Sequence, residues 1–137
     1  MKRCNISAAT IYQIKPIADK LGVEDIYCTE MEVQRGKFTG KITEMCWGEG
    51  KANAGRKFAK ENDIDLSKSY FYTDSFDDYP LMDIVGNPYA TNPDSRLSQL
   101  AFENDWPILR FKNTTERPVV NGFRTGLAAA SIYHSFL

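Results

Sequence analysis

The sequence predicts an α/β fold: a parallel, doubly wound sheet with one small β-hairpin. Short β-type runs alternate with stretches of helical periodicity along most of the chain, which is the order that winds a parallel sheet. The aromatic run Tyr70-Phe71-Tyr72-Thr73 ends on Asp74-Ser75-Phe76-Asp77-Asp78. A buried strand that opens onto acids at its carboxyl end is how an open α/β sheet presents a ligand site. Gly48-Glu49-Gly50-Lys51 places a lysine behind two glycines where a helix should begin.

The elements follow in chain order. Ile6-Ser7 reads as the end of a very short strand. Ile11, Ile14, Ala18 and Leu21 recur at helical spacing and Gly22 supplies a stop. Pro16 inside that run predicts a kink or a late helix start. Ile26 to Thr29 is a strand, and Met31 to Ile42 a β-hairpin with Gly36 and Gly40 available for turn or bulge geometry. A helix opens at Gly48 and runs to about Asn62, with Ala54 and Phe58 facing inward. Tyr70 to Thr73 is the second strand of note. Pro80-Leu81-Met82 begins a short helix ending at Gly86, and Tyr89-Ala90-Thr91 is a short strand. Asn92-Pro93-Asp94 is a turn and cap, after which Leu97, Leu100 and Ala101 share one helical face. Trp106 to Phe111 is a last strand. Residues 112–123 are polar and turn-rich and read as a linker; 124–137 are predicted to form an apolar helix.

At 137 residues the chain is one domain by length. Hydrophobic residues make up 42% and charged ones 26%, as in an ordinary globular protein. Lys and Arg number 17 against 18 Asp and Glu, a net charge of −1, so no basic footprint argues for nucleic acid. Cys4, Cys28 and Cys46 are scattered and odd in number, compatible with a reducing cytosol rather than a disulfide scaffold. With His134 as the single histidine, zinc is not expected. The amino-terminal residues lack a signal-peptide core, and no run approaches a membrane span, so a cytoplasmic location is expected.

Three sets of residues carry candidate chemistry. Asp74 and Asp78, four apart across a strand-to-helix turn, can point into one pocket and suit a hard cation such as Mg²⁺. Asp77 should be aimed elsewhere by the turn. A solvated acidic turn capped by Ser75 or Asp77 produces the same pattern. Lys51 at the positive end of a helix is disfavoured unless an anion is near, and exposed amides beside an ammonium suit a phosphate. An exposed surface lysine is the alternative, and the Walker spacing is not met. Ser7-Ala8-Ala9-Thr10 offers a hydroxyl and backbone amides to a phosphoryl oxygen, or a plain helix cap at Ser7 or Thr10.

Hydroxyl, lysine and acidic turn, in that order, are the parts of a known phosphatase site. The chain resembles the phosphoserine-phosphatase-like subclass of the haloacid dehalogenase (HAD) superfamily from about Asn5 to Phe111. The matching segments are Ile6 to Ala9, Pro16 to Gly22, Gly36 to Gly40, Gly48 to Lys51, Tyr72 to Met82 and Asn92 to Asp94. The resemblance implies a Rossmannoid three-layer sandwich and a Mg²⁺-dependent phosphomonoester hydrolase with an aspartyl-phosphate intermediate. It implies that Ser7 and Ala8 bind the phosphoryl group and that Lys51 neutralises its charge. Asp74 would ligate Mg²⁺ directly, with Asp78 supporting the metal shell. The substrate class implied is a small phosphorylated metabolite.

One part of that pattern is missing. The family's nucleophile lies in a DxDxT motif at the end of a central strand, and no DxDxT occurs here. Asp63-Ile64-Asp65-Leu66-Ser67 is out of order and reads as a loop. The helical cap that selects substrate is also absent. The chain is therefore expected to be an incomplete, carboxyl-terminal portion of such an enzyme, covering a partial core over 1–111 with its hairpin insert at about 31–42. In the family fold the missing strand lies between those ending at Ser7 and Asp74. A truncated gene product, a fragment, or a sheet in which those two strands close up directly are the expected outcomes. Open edges would favour homo-oligomers. With one carboxylate left as ligand, Mg²⁺ should bind weakly or not at all, and the chain alone should be inactive. The alternative is a degenerate, non-catalytic domain used for binding or oligomerisation. Arg124-Thr125-Gly126-Leu127 also resembles a junction leading to a membrane-linked acyltransferase in some relatives.

Overall fold

The computed structural model describes residues 1–111. The expected linker at 112–123, the expected helix at 124–137 and the Arg124 to Leu127 junction lie outside the described residues.

The chain opens with β1 (Cys4–Thr10), α1 (Ile11–Leu21), β2 (Asp25–Gln34) and β3 (Lys37–Glu44). β1 is longer than the expected two-residue strand end, and α1 starts at Ile11 with Pro16 inside it, so the late start does not occur. The hydrogen bond that Pro16 forfeits would have gone to the carbonyl of Tyr12, a residue 65% exposed. Gly22, at φ 62°, ends the helix in the left-handed conformation.

The strand at Ile26 to Thr29 and the first arm of the hairpin are one continuous strand, β2. Its first half runs parallel to β1 and its second half antiparallel to β3. Arg35 and Gly36, both at positive φ, form the two-residue turn between β2 and β3. Gly40, at φ 85°, sits where β2–β3 pairing is irregular, which is the bulge role expected of it.

The second half holds α2 (Glu49–Glu61), β4 (Tyr70–Thr73), α3 (Tyr79–Met82), β5 (Asn87–Thr91), α4 (Ser95–Glu103) and β6 (Ile108–Leu109). β6 is shorter than the predicted run from Trp106 to Phe111, and α3 stops at Met82 rather than Gly86. The Asp63 to Ser67 stretch is a loop, as read from sequence. Asp65 caps a 3-10 turn at Leu66–Lys68 by accepting the N–H of Ser67, and bonds from Ser67 lower its carboxyl pKa.

The strands form two three-stranded sheets, ordered β1-β2-β3 and β4-β5-β6. This differs from a single doubly wound sheet. Among the described residues, β1 is bonded only to β2 on one side and β4 only to β5, so β1 and β4 do not close up on each other. Every pairing except the hairpin is parallel, and the architecture is a Rossmann-like α/β fold.

One hydrophobic core nevertheless joins the two sheets. Cys4 and Ile6 of β1, Ala52, Ala54 and Phe58 of α2, Phe71 of β4, Leu81 and Met82 of α3, Ala90 of β5, and Leu97 and Ala101 of α4 pack into a single cluster. Phe58 and Phe71, 1% and 0% exposed, contribute roughly 1.5–3 kcal/mol of burial each. α2 therefore bridges two sheets that, among the described residues, share no strand pairing. Ile14 and Ala18 of α1 are buried outside that cluster, where α1 packs on β1 and β2. On β4 and β5, Tyr72 and Tyr70 flank Tyr89 with ring centroids 5.0 and 6.1 Å away.

Candidate active site

β4 delivers its carboxyl end to the start of α2, and β1 packs against the same helix. Ser7 lies near the end of β1 and is 3% exposed; its Oγ accepts the N–H of Ala9 at 3.1 Å. Pairing with β2 is regular up to Ser7 and resumes only at Thr10, so Ala8 and Ala9 leave the ladder. Thr10, not Ser7, is the N-cap of α1, and its N–H donates to Gln13 Oε1 at 3.0 Å. The Ser7 hydroxyl is thus left to the strand-end loop rather than to the helix.

Lys51 is the third residue of α2 and only 2% exposed, which excludes the exposed surface lysine. Gly48 and Gly50 explain how the chain places it. Gly48 turns into the helix at φ 55°, and a Cβ there would lie 4.0 Å from the main-chain oxygen of Asp77. A Cβ on Gly50 would collide with the main-chain carbonyl of Met45. Only residues without a Cβ let the 45–48 segment fold this tightly onto the helix start.

The ammonium of Lys51 is held by Asp78. Nζ lies 2.7 Å from Oδ1 and 2.9 Å from Oδ2, and the two side chains are 3% and 1% exposed. Thr73, the last residue of β4, donates its hydroxyl to the same Oδ2 at 2.6 Å and accepts the N–H of Ser75 at 3.2 Å. Burial of two charges is tolerated because they face each other and a hydroxyl adds a further hydrogen bond to the carboxylate.

Asp74 follows β4 directly, and its Oδ1 is shielded from solvent. Its main-chain oxygen accepts the N–H of Asp94 at 3.1 Å. The Asp94 carboxylate in turn accepts N–H groups from Leu97 at 2.7 Å and Phe76 at 3.3 Å. Asp94 therefore caps α4 and pins the acidic turn at once. Ser75 caps the 3-10 turn at Phe76–Asp78 by accepting the N–H of Asp77. Asp77 points to the rim, where Arg96 reaches it at 3.2 Å.

Cys46 ties the segment before α2 to β2. Its N–H donates to Thr29 Oγ1 at 3.2 Å. Burial pushes its thiol pKa up to about 11, opposed by the Lys51 charge and a hydrogen bond from the Ser7 backbone. The strand that carries Ser7 packs against α2, the helix that carries Lys51.

Sequence reasoning singled out Ser7, Lys51, Asp74 and Asp78. It gave no role to Thr73, to the main-chain grip of Asp94 or to Cys46. A threonine ending a strand immediately before an acid was a usable signal for the first. Among the described residues no group of three or more His, Cys, Asp or Glu side chains is arranged to hold a metal ion. Both oxygens of Asp78 already serve Lys51 and Thr73, so these side chains alone do not make a Mg²⁺ cage.

Known proteins resemble this chain in sequence and in fold. The profile of the haloacid dehalogenase-like hydrolases matches residues 6–83. A probable phosphatase of Mycobacterium tuberculosis is 39% identical over 114 residues, covering 83% of this chain and 38% of that protein. A phosphoserine phosphatase of the same organism is 39% identical over 106 residues, covering 76% and 34%. The chain thus spans little more than a third of either relative. The solved structure of a Bordetella pertussis Tohama I protein of unknown function superposes with a TM-score of 0.71 at 30% identity, over 77% of this chain and 49% of that one. With the match running from the Ser7 strand through the lysine helix to the acidic turn, this chain belongs to the haloacid dehalogenase-like hydrolase family.

Proposed function

We propose that this chain is the phosphate-binding part of a phosphomonoester hydrolase, acting on small phosphorylated metabolites. The observation that carries the reading is the buried Lys51 ammonium, held by Asp78. A buried lysine at a helix amino terminus, next to a strand-end hydroxyl, is suited to a phosphoryl dianion. Phosphoryl transfer relies on positioning and on neutralising charge, and these residues supply both. In this reading Ser7 and the Ala8 main chain hold phosphoryl oxygens and Lys51 balances their charge. Asp78 keeps Lys51 in place, and Asp74 offers one carboxylate to Mg²⁺, whose role would be to neutralise charge on the transferring group. One carboxylate holds Mg²⁺ weakly, in a mostly hydrated state.

The core extends over 1–111, followed by a linker at 112–123 and an apolar segment at 124–137. No DxDxT nucleophile occurs in this sequence. The chain by itself binds phosphate but does not turn over phosphomonoesters. A nucleophile supplied in trans, or by an additional segment, would complete it. Setting is cytoplasmic. A second reading, a non-catalytic domain that binds or assembles through its sheet edges, is favoured by one observation: β1 and β4 each have one side unbonded among the described residues.

The test is calorimetric titration of the purified full chain with inorganic phosphate, together with a p-nitrophenyl phosphate assay with and without Mg²⁺. Phosphate binding that disappears in Lys51→Met, with no turnover, is expected. Equal binding by Lys51→Met would remove the site. Magnesium-dependent release of phosphate would overturn the expected inactivity.

A further inference from the structure

β4 and β5 are parallel neighbours whose side chains alternate between two faces. Phe71 and Ala90 point to one face, are fully buried and belong to the hydrophobic core. Tyr70, Tyr72 and Tyr89 point to the other. Their rings stack in a row with Tyr89 in the middle, at interplanar angles of 28° and 27°. Tyr70 is 47% exposed, and Tyr72 and Tyr89 are half-buried. The helices α2, α3 and α4 all send residues into the core and so lie on the Phe71 side. α1 packs on β1 and β2. Among the described residues the tyrosine side of β4 and β5 therefore has no helix over it, although parallel sheets are ordinarily covered on both faces.

We propose that residues 124–137 of this chain dock on the tyrosine row as a helix and cover it. Position favours this occupant. The last described residue, Phe111, follows β6, and β6 pairs with β5, the strand that carries Tyr89. The remaining chain thus starts one strand away from the row, and neighbouring strands lie about 4.8 Å apart. Residues 112–123 can span roughly 40 Å when extended, far more than the return requires. A tethered segment also meets the row at an effective concentration of about millimolar, whereas a second copy must reach it from solution.

The residue pattern favours it as well. Ala129, Ile132, Tyr133 and Phe136 recur at the spacing of one helical face, and Ser131 and His134 fall on the opposite side. Ala129 lets a helix backbone approach flat rings, while Ile132 and Phe136 supply apolar contact. The tyrosine hydroxyls can stay in water at the edge of such a contact. Helix over residues 124–137 would be about 21 Å long, enough to cross rings whose centroids are 5.0 and 6.1 Å apart.

The experiment is hydroxyl-radical oxidation of the full chain, read residue by residue by mass spectrometry. Tyr12, which is 65% exposed, serves as the control. In wild type, Tyr72 and Tyr89 should oxidise more slowly than Tyr12. Ile132→Glu combined with Phe136→Glu should weaken docking by about a hundredfold, the scale of two buried apolar side chains. Oxidation of Tyr72 and Tyr89 should then rise while Tyr12 stays unchanged. Ser131→Glu, on the far side of the helix, should leave all three at wild-type rates. If the double variant fails to fold, wild type supplies the readout: NMR cross-peaks between the Tyr89 ring and the Ile132 methyl groups are expected. Unchanged tyrosine oxidation in the folded double variant overturns the inference, and so does the absence of those cross-peaks. Equal release by Ser131→Glu overturns it too, because the helix face would then not matter. Protection that disappears on dilution, together with a dimer in size-exclusion chromatography, would assign the row to a second copy and overturn docking of the chain's own segment.

Discussion

Asp78 and Asp77 are adjacent in the turn after β4, and each meets a base on another element. Asp78 faces Lys51 in a contact that is almost wholly buried, with Thr73 as third member. Asp77 faces Arg96 at the rim, where the two side chains are 40% and 62% exposed and the guanidinium stacks 4.4 Å from the Phe76 ring. In the buried pair, water cannot replace a lost partner, so each charge depends on the other. At the rim, water and salt compete for both ions, and the pair contributes little. Two acids that look alike in sequence therefore carry unlike energies, because the 3-10 turn aims one inward and the other outward.

The sharpest way to break this comparison is to remove one buried partner. Asp78→Ala leaves the Lys51 ammonium buried with its main counter-charge gone and should destabilise the chain by about 3–5 kcal/mol in urea unfolding. Combining Lys51→Met with Asp78→Leu should recover much of that loss, since an apolar pair of similar volume is often neutral. A single Asp78→Ala variant as stable as wild type would show that the pair is solvated after all.

Next in size is the loop that presents Lys51. Gly50→Ala places a methyl against the Met45 carbonyl and should cost about 1–3 kcal/mol, by the scale of overpacking, read as a lower thermal midpoint. An unchanged midpoint would mean the 45–48 segment yields freely, and the close approach would not explain the glycine.

Asn5 offers a contrast on the other sheet. It is 1% exposed, and among the described residues neither its Nδ2 nor its Oδ1 has a hydrogen-bond partner. A buried polar group without partners should weaken the fold, as the partnered Asp78 does not. Asn5→Leu should stabilise the chain by about 1–3 kcal/mol in urea unfolding. Loss of stability instead would show that the amide is satisfied in solution.

The smallest effect belongs to the rim. Asp77→Asn should change stability by less than about 1 kcal/mol, and the difference should shrink further in high salt. A loss comparable to that of Asp78→Ala would erase the distinction between the two acids.

Much of the architecture was legible from local chemistry. Helical spacing of Ile11, Ile14 and Ala18 marked α1, Arg35-Gly36 lay at the hairpin turn, and the aromatic run marked β4. Pro16 misled, because an interior proline can be accommodated where the freed carbonyl belongs to an exposed turn. The continuity of β2 through Thr29 to Gln34 was hidden, since a change of partner from β1 to β3 leaves no trace in period-two alternation. Of the site, the residue types at Ser7, Lys51 and Asp78 were readable, but their pairing was not. Thr73 looked like an ordinary strand residue, and its hydroxyl acquired a purpose only beside Asp78.

The sequence by itself determined the order of the elements, the stop of α1 at Gly22, the hairpin turn and the cap of α4 at Asp94, because capping, turn geometry and periodicity are properties of neighbouring residues. It also determined the order of hydroxyl, lysine and acids that marks the family. Tertiary structure alone decided that β1 and β4 stand in separate sheets bridged by α2. It likewise decided which acid meets Lys51. Both outcomes depend on contacts between residues far apart in the chain, 27 positions in the case of Lys51 and Asp78, where shared burial rather than local preference selects the partner.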